Sequence, residues 1–287
     1  MKSIPFFDYP SLYLHHRENL MKIFDEISSK GAFIMQSELE EFEDRLATYV
    51  GSKYAIGVAN ATDALELLLI AAGIKEGDEV IFCSHTMVAT ASAIKFSGAK
   101  PVPAEAGKDH LIDVEKIKDL ITDKTVAIMP TQLNGRVANM EVITKLAKEY
   151  NLKIIEDSAQ ALGAKYNNIS AGCFGVGGCI SFYPAKILGC FGDGGAVICN
   201  DEEIYKKISL LRDHGRASNG EVELWGFNSR LDNIQAGFLN YYFDTYQSTI
   251  NRRREIALQY HKNLEGISEL VLPPPPKDSL NFDVYQN

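Results

Sequence analysis

Short apolar runs alternate with amphipathic segments along most of this 287-residue chain, and this alternation restricts the fold more than any other feature. Apolar runs of about 4–8 residues are typical of buried strands, whereas apolar residues spaced three and four apart predict helices. Strands are predicted at 54–59, 80–83, 126–129, 152–155, 179–182 and 196–199. Helices are predicted at 39–50, 62–72, 89–96, 141–150, 201–212 and through 231–264. This order predicts an α/β fold with a mostly parallel central sheet covered by helices.

A run of prolines near the end of the chain suggests a change of organisation. Pro273 to Pro276 favour an extended segment, and residues 281–286 look like the opening of a strand. We therefore expect a large domain over residues 1–245. Residues 246–287 are expected to form a connecting helix and the beginning of a small C-terminal domain, which is incomplete in this chain.

The composition excludes several classes of function. A net charge of −9 makes nucleic acid and anionic membranes poor partners. No apolar run reaches the roughly 18 residues that span a bilayer, and the N-terminus lacks a signal-peptide pattern. The chain has five cysteines without a C-x-x-C pair and six histidines without metal-ligand spacing. We expect reduced thiols, a cytoplasmic location and no metal site.

One acidic residue stands where a parallel sheet binds its ligands. Asp157 follows the apolar run 152–155, and ligands bind at the carboxyl ends of parallel strands. A helix N-cap or a buried ion pair also fits this position. Beside a pyridinium nitrogen, the carboxylate of Asp157 would keep the ring of pyridoxal 5'-phosphate (PLP) protonated and able to accept electrons.

A lysine downstream of Asp157 favours the PLP interpretation over a structural one. Lys186 lies between apolar and aromatic residues, whereas most lysines are surface charges. Burial lowers the pKa of a lysine and makes its amine a usable nucleophile for the cofactor aldehyde. The surrounding glycines suggest a loop shaped to fit a ligand; they are Gly172, Gly175, Gly177, Gly178, Gly189, Gly192, Gly194 and Gly195.

Further polar residues are candidates for the rest of the cofactor. Thr62 stands at the start of a predicted helix, whose free N–H groups suit a phosphate, although plain N-capping by Asn60 or Thr62 also fits. Ser181 offers a second hydroxyl to the phosphate. Gln160 is a candidate partner for the phenolic oxygen of PLP, or an ordinary helix-surface amide.

At these positions the chain resembles the DegT/StrS family of nucleotide-sugar aminotransferases, PLP enzymes with the aspartate-aminotransferase fold (fold type I). The resemblance spans nearly the whole chain. The stretches that carry it are Asn60 to Leu65, His85 to Thr90, Glu156 to Ala161, Ser181 to Gly189, Gly192 to Gly195 and Gly226 to Leu231.

The resemblance implies a role for each matching residue. Lys186 is implied to bind PLP covalently and Asp157 to bind the ring nitrogen, with Gln160 beside the ring. Ala61, Thr62 and Ser181 are implied to hold the phosphate. Asn228 is implied to reach the phosphate of the neighbouring subunit's cofactor, which predicts a homodimer with shared active sites.

The chain departs from the family pattern at three places. Met87 stands where many members have an aromatic residue stacked on the cofactor, and a thioether can still pack against a ring. Ile187 replaces an asparagine that often follows the lysine. Members also continue past residue 287 through a small domain, so the chain is expected to be C-terminally truncated.

The resemblance implies transfer of an amino group, with L-glutamate as the expected donor, to the keto sugar of a nucleoside-diphosphate sugar. The product would be an amino sugar for polysaccharide, glycan or antibiotic assembly. One alternative is a PLP-dependent sugar dehydratase, although that group has histidine at the position of Lys186. A second alternative is a non-catalytic, PLP-binding regulatory protein.

Overall fold

The computed structural model describes residues 5–276 and 280–286. Within them, a seven-stranded sheet has the order β1-β9-β8-β5-β4-β2-β3. Its strands are β1 Tyr54–Val58, β2 Glu79–Cys83, β3 Lys100–Ala104, β4 Thr125–Met129, β5 Lys153–Asp157, β8 Gly177–Ser181 and β9 Gly195–Cys199. Strand β9 is antiparallel to β1 and β8, and the other neighbouring pairs are parallel. The prediction of a mostly parallel sheet is therefore confirmed.

Helices cover both faces of this sheet. They are α1 Tyr9–Lys30, α2 Ser37–Val50, α3 Ala61–Ala71, α4 Val88–Phe96, α5 Val114–Ile117, α6 Met140–Glu149, α7 Glu202–Arg212, α8 Asn233–Phe243 and α9 Tyr246–Leu264. Alternate side chains of each strand enter different apolar cores: Ile154 packs on one face and Ile155 on the other. Among the described residues, no helix is long and apolar enough to cross a membrane.

The elements that were not predicted from the sequence include strand β3 and helix α1. Strand β3 contains Pro101 and Pro103, which argue against a central strand, but β3 lies at the sheet edge where missing N–H groups are tolerated. Helix α1 buries only Leu20 and Ile27, so its apolar periodicity is weak. The predicted helical segment 231–264 is present as two helices, α8 and α9, separated by residues 244–245.

Residues 280–286 return to the body of the protein after the proline run. Strand β10, Asn281–Phe282, pairs with β6, Lys165–Tyr166, in a three-stranded sheet completed by β7, Ile169–Ser170. The Val284 amide then donates to the Gly135 carbonyl at 2.9 Å. Residues 277–279 and 287 of the expected segment 246–287 lie outside the described residues, and the division into two domains stays a prediction.

Candidate active site

A cavity of about 530 Å³ opens at the carboxyl ends of β1, β2, β4, β5 and β8. It brings together most of the residues that the sequence singled out, namely Ala61, Thr62, Met87, Asp157, Gln160, Ser181 and Lys186. A neighbouring cavity of about 460 Å³ is nearly as large. Its polar groups come from residues 108–110, Asn134, Arg136 and Tyr285 rather than from strand ends, so the first cavity is the candidate site.

Asp157 ends β5 and is only 5% exposed. Its Oδ2 accepts a hydrogen bond from Thr90 Oγ1 at 2.5 Å, and its Oδ1 accepts from the Ala159 amide at 3.3 Å. The thiol of Cys179 lies 3.4 Å from the same Oδ1. Strand alternation sends the preceding residue, Glu156, to the opposite face, where it meets Gln132. The carboxylate of Asp157 therefore faces the cavity in a fixed orientation.

Lys186 extends into the same cavity from the irregular loop 183–189. Burial lowers the pKa of the Lys186 amine, while the negative charge of Asp157 acts in the opposite direction. A larger fraction of neutral amine at neutral pH makes Lys186 a better nucleophile than an exposed lysine.

One end of the cavity is suited to an anion. The Asn60 side chain accepts from the Asp63 amide at 2.9 Å and caps helix α3. The amides of Ala61 and Thr62, in the first turn of the helix, have no acceptor within the helix. Gly195 lets the backbone approach this turn, because a Cβ there would lie 2.7 Å from the Ala61 nitrogen. Ser181, the last residue of β8, adds a hydroxyl to the same cavity.

Gln160 and Met87 both line the cavity. The Oε1 of Gln160 accepts from the Asn134 amide at 2.8 Å, so this side chain is not a free surface amide. Met87 precedes α4, is 63% exposed, and its sulfur lies 3.0 Å from the Ala89 amide. Ile187, the other departure from the family pattern, packs against the core beneath the lysine loop.

The structure does not bring Asn228 into the cavity. Asn228 is exposed and forms an isolated antiparallel bridge with Asp213. Its implied role toward a neighbouring subunit stays a prediction. Nearby apolar side chains are also exposed, above all Trp225 at 95%.

Several of the glycines near Lys186 have a structural task instead of a ligand-shaping one. Gly178 packs on a neighbouring turn: a Cβ there would lie 2.7 Å from the Cα of Gly172. Gly189 does shape the lysine loop, since its Cβ would lie 2.9 Å from the carbonyl oxygens of Tyr183 and Pro184. The glycine cluster thus serves strand packing as well as the cavity.

Sequence reasoning missed polar residues that follow other strands. Thr86 and Thr131 line the cavity, and the hydroxyl of Thr131 lies 3.1 Å from that of Thr86. Thr86 lies 2.7 Å from Thr90 Oγ1, so three hydroxyls lead to the carboxylate of Asp157. Their position two or three residues after the ends of β4 and β2 was the available signal for Thr131 and Thr86. Nothing local in the sequence pointed to Gln286, which also lines the cavity.

These groups fit PLP. The cavity combines an amine of lowered pKa, a buried carboxylate, and a helix N-terminus with a nearby hydroxyl for a phosphate. Among residues 5–276 and 280–286, no group of three or more metal-binding side chains lies together. Fold and site therefore define a PLP-dependent enzyme of fold type I.

The chain belongs to the DegT/DnrJ/EryC1/StrS aminotransferase family, whose profile matches residues 15–286. Over 264 residues it is 41% identical to a dTDP-3-amino-3,6-dideoxy-alpha-D-galactopyranose transaminase of Aneurinibacillus thermoaerophilus, covering 92% of this chain and 73% of the relative. Over 278 residues it is 37% identical to a pleiotropic regulatory protein of Geobacillus stearothermophilus, covering 96% of this chain and 75% of the relative.

A solved structure has the same fold. DesV of S. venezuelae, determined in complex with a ketimine intermediate, superposes with a TM-score of 0.93 at 36% sequence identity. The match covers 100% of this chain and 77% of DesV. The predicted family and fold type are thus confirmed.

Proposed function

We propose that this protein is a PLP-dependent aminotransferase that converts the keto sugar of a nucleoside-diphosphate sugar into an amino sugar. The observation that carries the proposal is the meeting of Lys186 and Asp157 in one cavity, beside the N-terminus of α3. Family membership and the transaminase named among the relatives support the same reaction class.

The residues of the cavity divide the work of holding the cofactor. The amides of Ala61 and Thr62 and the hydroxyl of Ser181 would bind the phosphate, and Asp157 would bind the ring nitrogen. Gln160 would lie beside the ring, and the thioether of Met87 would pack on it in place of an aromatic residue. When bound, PLP supplies an electron sink for the carbanion that forms when the donor loses its α-proton.

Lys186 has two tasks in this proposal. Its amine would hold PLP covalently through the cofactor's aldehyde until a donor amine takes its place. The freed amine of Lys186, whose pKa is lowered by burial, would then take the α-proton of the donor and move it between substrate and cofactor. Asp157 would keep one orientation beside the ring throughout, because Thr90 and the Ala159 amide hold both carboxylate oxygens.

The proposed amino donor is L-glutamate. In the complete reaction the donor amino acid becomes a 2-oxo acid, and its amino group replaces the ketone oxygen of the sugar. The oxidation of the donor balances the reduction of the sugar, so no external oxidant or reductant is required. The free thiols among the described residues agree with a proposed cytoplasmic location, where the nucleotide sugars would be met.

Mass spectrometry tests the reaction directly. The protein is loaded with PLP and incubated with a panel of nucleotide-linked keto sugars, with and without glutamate. We expect a product whose mass matches replacement of the ketone oxygen by an amine, formed together with 2-oxoglutarate. A product that has lost water without gaining nitrogen would instead establish a sugar dehydratase.

A regulatory role is the second candidate, because one relative carries a regulatory name. The discriminating measurement is the absorbance of the bound cofactor on addition of glutamate. We expect the band to disappear as the amino group is transferred. Stable binding of PLP, unchanged by any amino donor or keto sugar, would favour the regulatory candidate.

We further propose a homodimer in which Asn228 reaches the cofactor phosphate of the neighbouring subunit. Its exposure, and the exposed Trp225 beside it, support this placement. Asn228→Ala should release PLP faster on dialysis. Mixed dimers of Lys186→Ala and Asn228→Ala subunits should contain one intact site and recover activity that neither variant has alone; no recovery in verified mixed dimers would contradict shared sites.

A further inference from the structure

The segment 280–286 contributes to the active-site cavity although it is far from the other lining residues in sequence. Gln286 is only 6% exposed and lines the cavity together with Lys186 and Asp157. The segment is held on its way there by the pairing of β10 with β6 and by the bond from the Val284 amide to the Gly135 carbonyl. A residue of this last stretch therefore reaches the lysine loop.

The side-chain amide of Gln286 forms hydrogen bonds with the backbone on both sides of Lys186. Its Oε1 accepts from the Ile187 amide at 3.2 Å, and its Nε2 donates to the Ala185 carbonyl at 2.9 Å. Lys186 itself donates its amide to the Tyr183 carbonyl at 2.8 Å. Three successive residues of an irregular loop are thus anchored, and the lysine side chain leaves from the middle one.

The backbone of Gln286 joins this loop to two other parts of the protein. Its amide donates to the Asn134 carbonyl at 3.2 Å, and its carbonyl accepts from Arg253 of α9 at 3.0 Å. The Asn134 amide in turn donates to Oε1 of Gln160. One residue therefore connects the lysine loop, the loop that orients Gln160, and helix α9.

We infer that Gln286 is a positioning residue, which fixes the peptide groups on either side of Lys186 so that the lysine meets the cofactor in one orientation. This inference rests on the proposed function of Lys186. Proton transfer depends steeply on the placement of the amine: a displacement of about 1 Å can cost about 100-fold in rate. Two hydrogen bonds to the adjacent peptides are suited to prevent such a displacement.

The chain provides a matched control for this inference. The side-chain amide of Gln235 binds Phe191 in the same way, accepting from its amide at 2.8 Å and donating to its carbonyl at 2.9 Å. Phe191 is not beside the lysine, and Gln235 does not line the cavity. Gln286→Met and Gln235→Met therefore each remove one pair of side-chain-to-backbone hydrogen bonds, the first beside Lys186 and the second at Phe191.

The experiment compares both variants with the wild-type chain loaded with PLP, using hydrogen exchange, kinetics and unfolding. In Gln286→Met we expect the amides of 185–188 to exchange about tenfold faster and kcat to fall about 10- to 100-fold, with the KM for the donor nearly unchanged. In Gln235→Met, exchange should increase only around Phe191, and kcat should stay within about twofold.

The pH dependence of the cofactor absorbance separates positioning from mere stability. Its midpoint should shift in Gln286→Met and not in Gln235→Met, at temperatures where both remain folded. Equal kinetic losses in the two variants, or a loss that follows the unfolded fraction, would overturn the inference. If Gln286→Met does not fold, Gln286→Glu is used: it keeps an acceptor for Ile187 and loses the donor to Ala185, and full wild-type kcat would overturn the inference.

Failure of the proposed function gives a different result. If the wild-type chain binds no PLP, or if Lys186→Ala still bonds to it covalently, the role of Lys186 is wrong. Hydrogen exchange in the cofactor-free protein still measures whether Gln286 holds the lysine loop. Wild-type exchange of 185–188 in cofactor-free Gln286→Met would overturn the inference by itself.

Discussion

The two sides of the active-site cavity are built differently. One side, the strand-end wall, consists of residues at or just after strand ends: Ala61, Thr62, Asp157 and Ser181. The other, the loop wall, consists of cavity-lining residues from the segments 133–136, 183–189 and 280–286. The strand-end wall is held by sheet register and a helix cap, whereas side-chain amides and carbonyls join the segments of the loop wall.

This difference separates two kinds of contribution. The strand-end wall presents the groups that we propose bind the phosphate and the ring nitrogen, and the sheet register and the cap of α3 fix their positions. The loop wall carries Lys186 in an irregular segment that depends on Gln286 and other distant contacts. We therefore expect substitutions of Lys186 and Asp157 to reduce turnover most. Substitutions of the residues that hold these two in place should reduce turnover or PLP binding by smaller factors.

The largest effect is expected at Lys186, the residue of the loop wall that is proposed to bond to the cofactor. Lys186→Ala should lower the rate of amino-sugar formation by at least about 10⁴-fold, because it removes the nucleophile and the proton carrier together. The fold should persist, since burying a lysine amine does not stabilise the protein. Product mass and cofactor absorbance measure the effect. Lys145→Ala, on the exposed face of α6, is the control and should behave as wild type.

Asp157→Asn tests the strand-end wall alone. The amide keeps the shape of the side chain and loses its charge, so we expect kcat to fall about 100- to 1000-fold, as for other groups that stabilise developing charge. Thermal unfolding should change much less than kcat. Normal turnover in this variant would remove the ring-nitrogen role of Asp157 and, with it, the distinction between the two walls.

Thr90 sharpens the comparison because it supports Asp157 without lining the cavity. Its side chain is fully buried, and Thr90→Val removes the hydroxyl at almost constant volume. A hydrogen bond to a charged group contributes about 1.5–3 kcal/mol. Because this bond orients Asp157 toward the cofactor ring, its loss should weaken PLP binding by at least about tenfold. Thr90→Ser should restore binding, and Thr131→Val, two hydroxyls farther away, should have a smaller effect. Equal affinities in Thr90→Val and wild type would contradict the support role.

The smallest effect is expected for the free energy of unfolding, at the residue that precedes Asp157 in β5. Glu156 is buried on the far face of β5, where Gln132 and the Phe174 amide donate to it at 2.6 and 2.7 Å. Burial raises the pKa of Glu156 to about 7 from 4.5. The folded protein thus holds a proton that the unfolded chain releases, so the free energy of unfolding should decrease as pH rises from 4.5 to 7, by at most about 3 kcal/mol.

Urea unfolding between pH 4.5 and 8 measures this dependence. Glu156→Gln cannot titrate and should show a shallower decline than wild type over that window. The exposed Glu115→Gln serves as the control and should keep the wild-type slope. Identical slopes in all three proteins would show that the carboxyl of Glu156 titrates at its ordinary pH.

The sequence predicted the strand-end wall well because its signals are local. The apolar run before Asp157 and the polar residues before α3 are each readable within about ten residues. Edge strand β3 was missed because two prolines argued against it, and α1 because few of its residues are buried. Thr90 was missed because a threonine within a predicted helix gives no signal of the carboxylate it meets.

The loop wall could not be predicted in the same way. The side chain of Gln286 lies a hundred residues from the peptides it binds, and no spacing or periodicity connects them. The glycines around Lys186 suggested a ligand loop, yet Gly178 is required by the close packing of β8 on a neighbouring turn. Composition alone does not tell these two uses of glycine apart.

The sequence by itself indicated the chemistry that we propose and its place: a lysine, an acid at a strand end and a helix N-terminus follow from local pattern and from the rule that parallel strands end at one edge. Only the tertiary structure decided how these groups are held. The hydrogen bonds that fix them join residues far apart in the chain, and such pairs form only after the sheet and helices have packed.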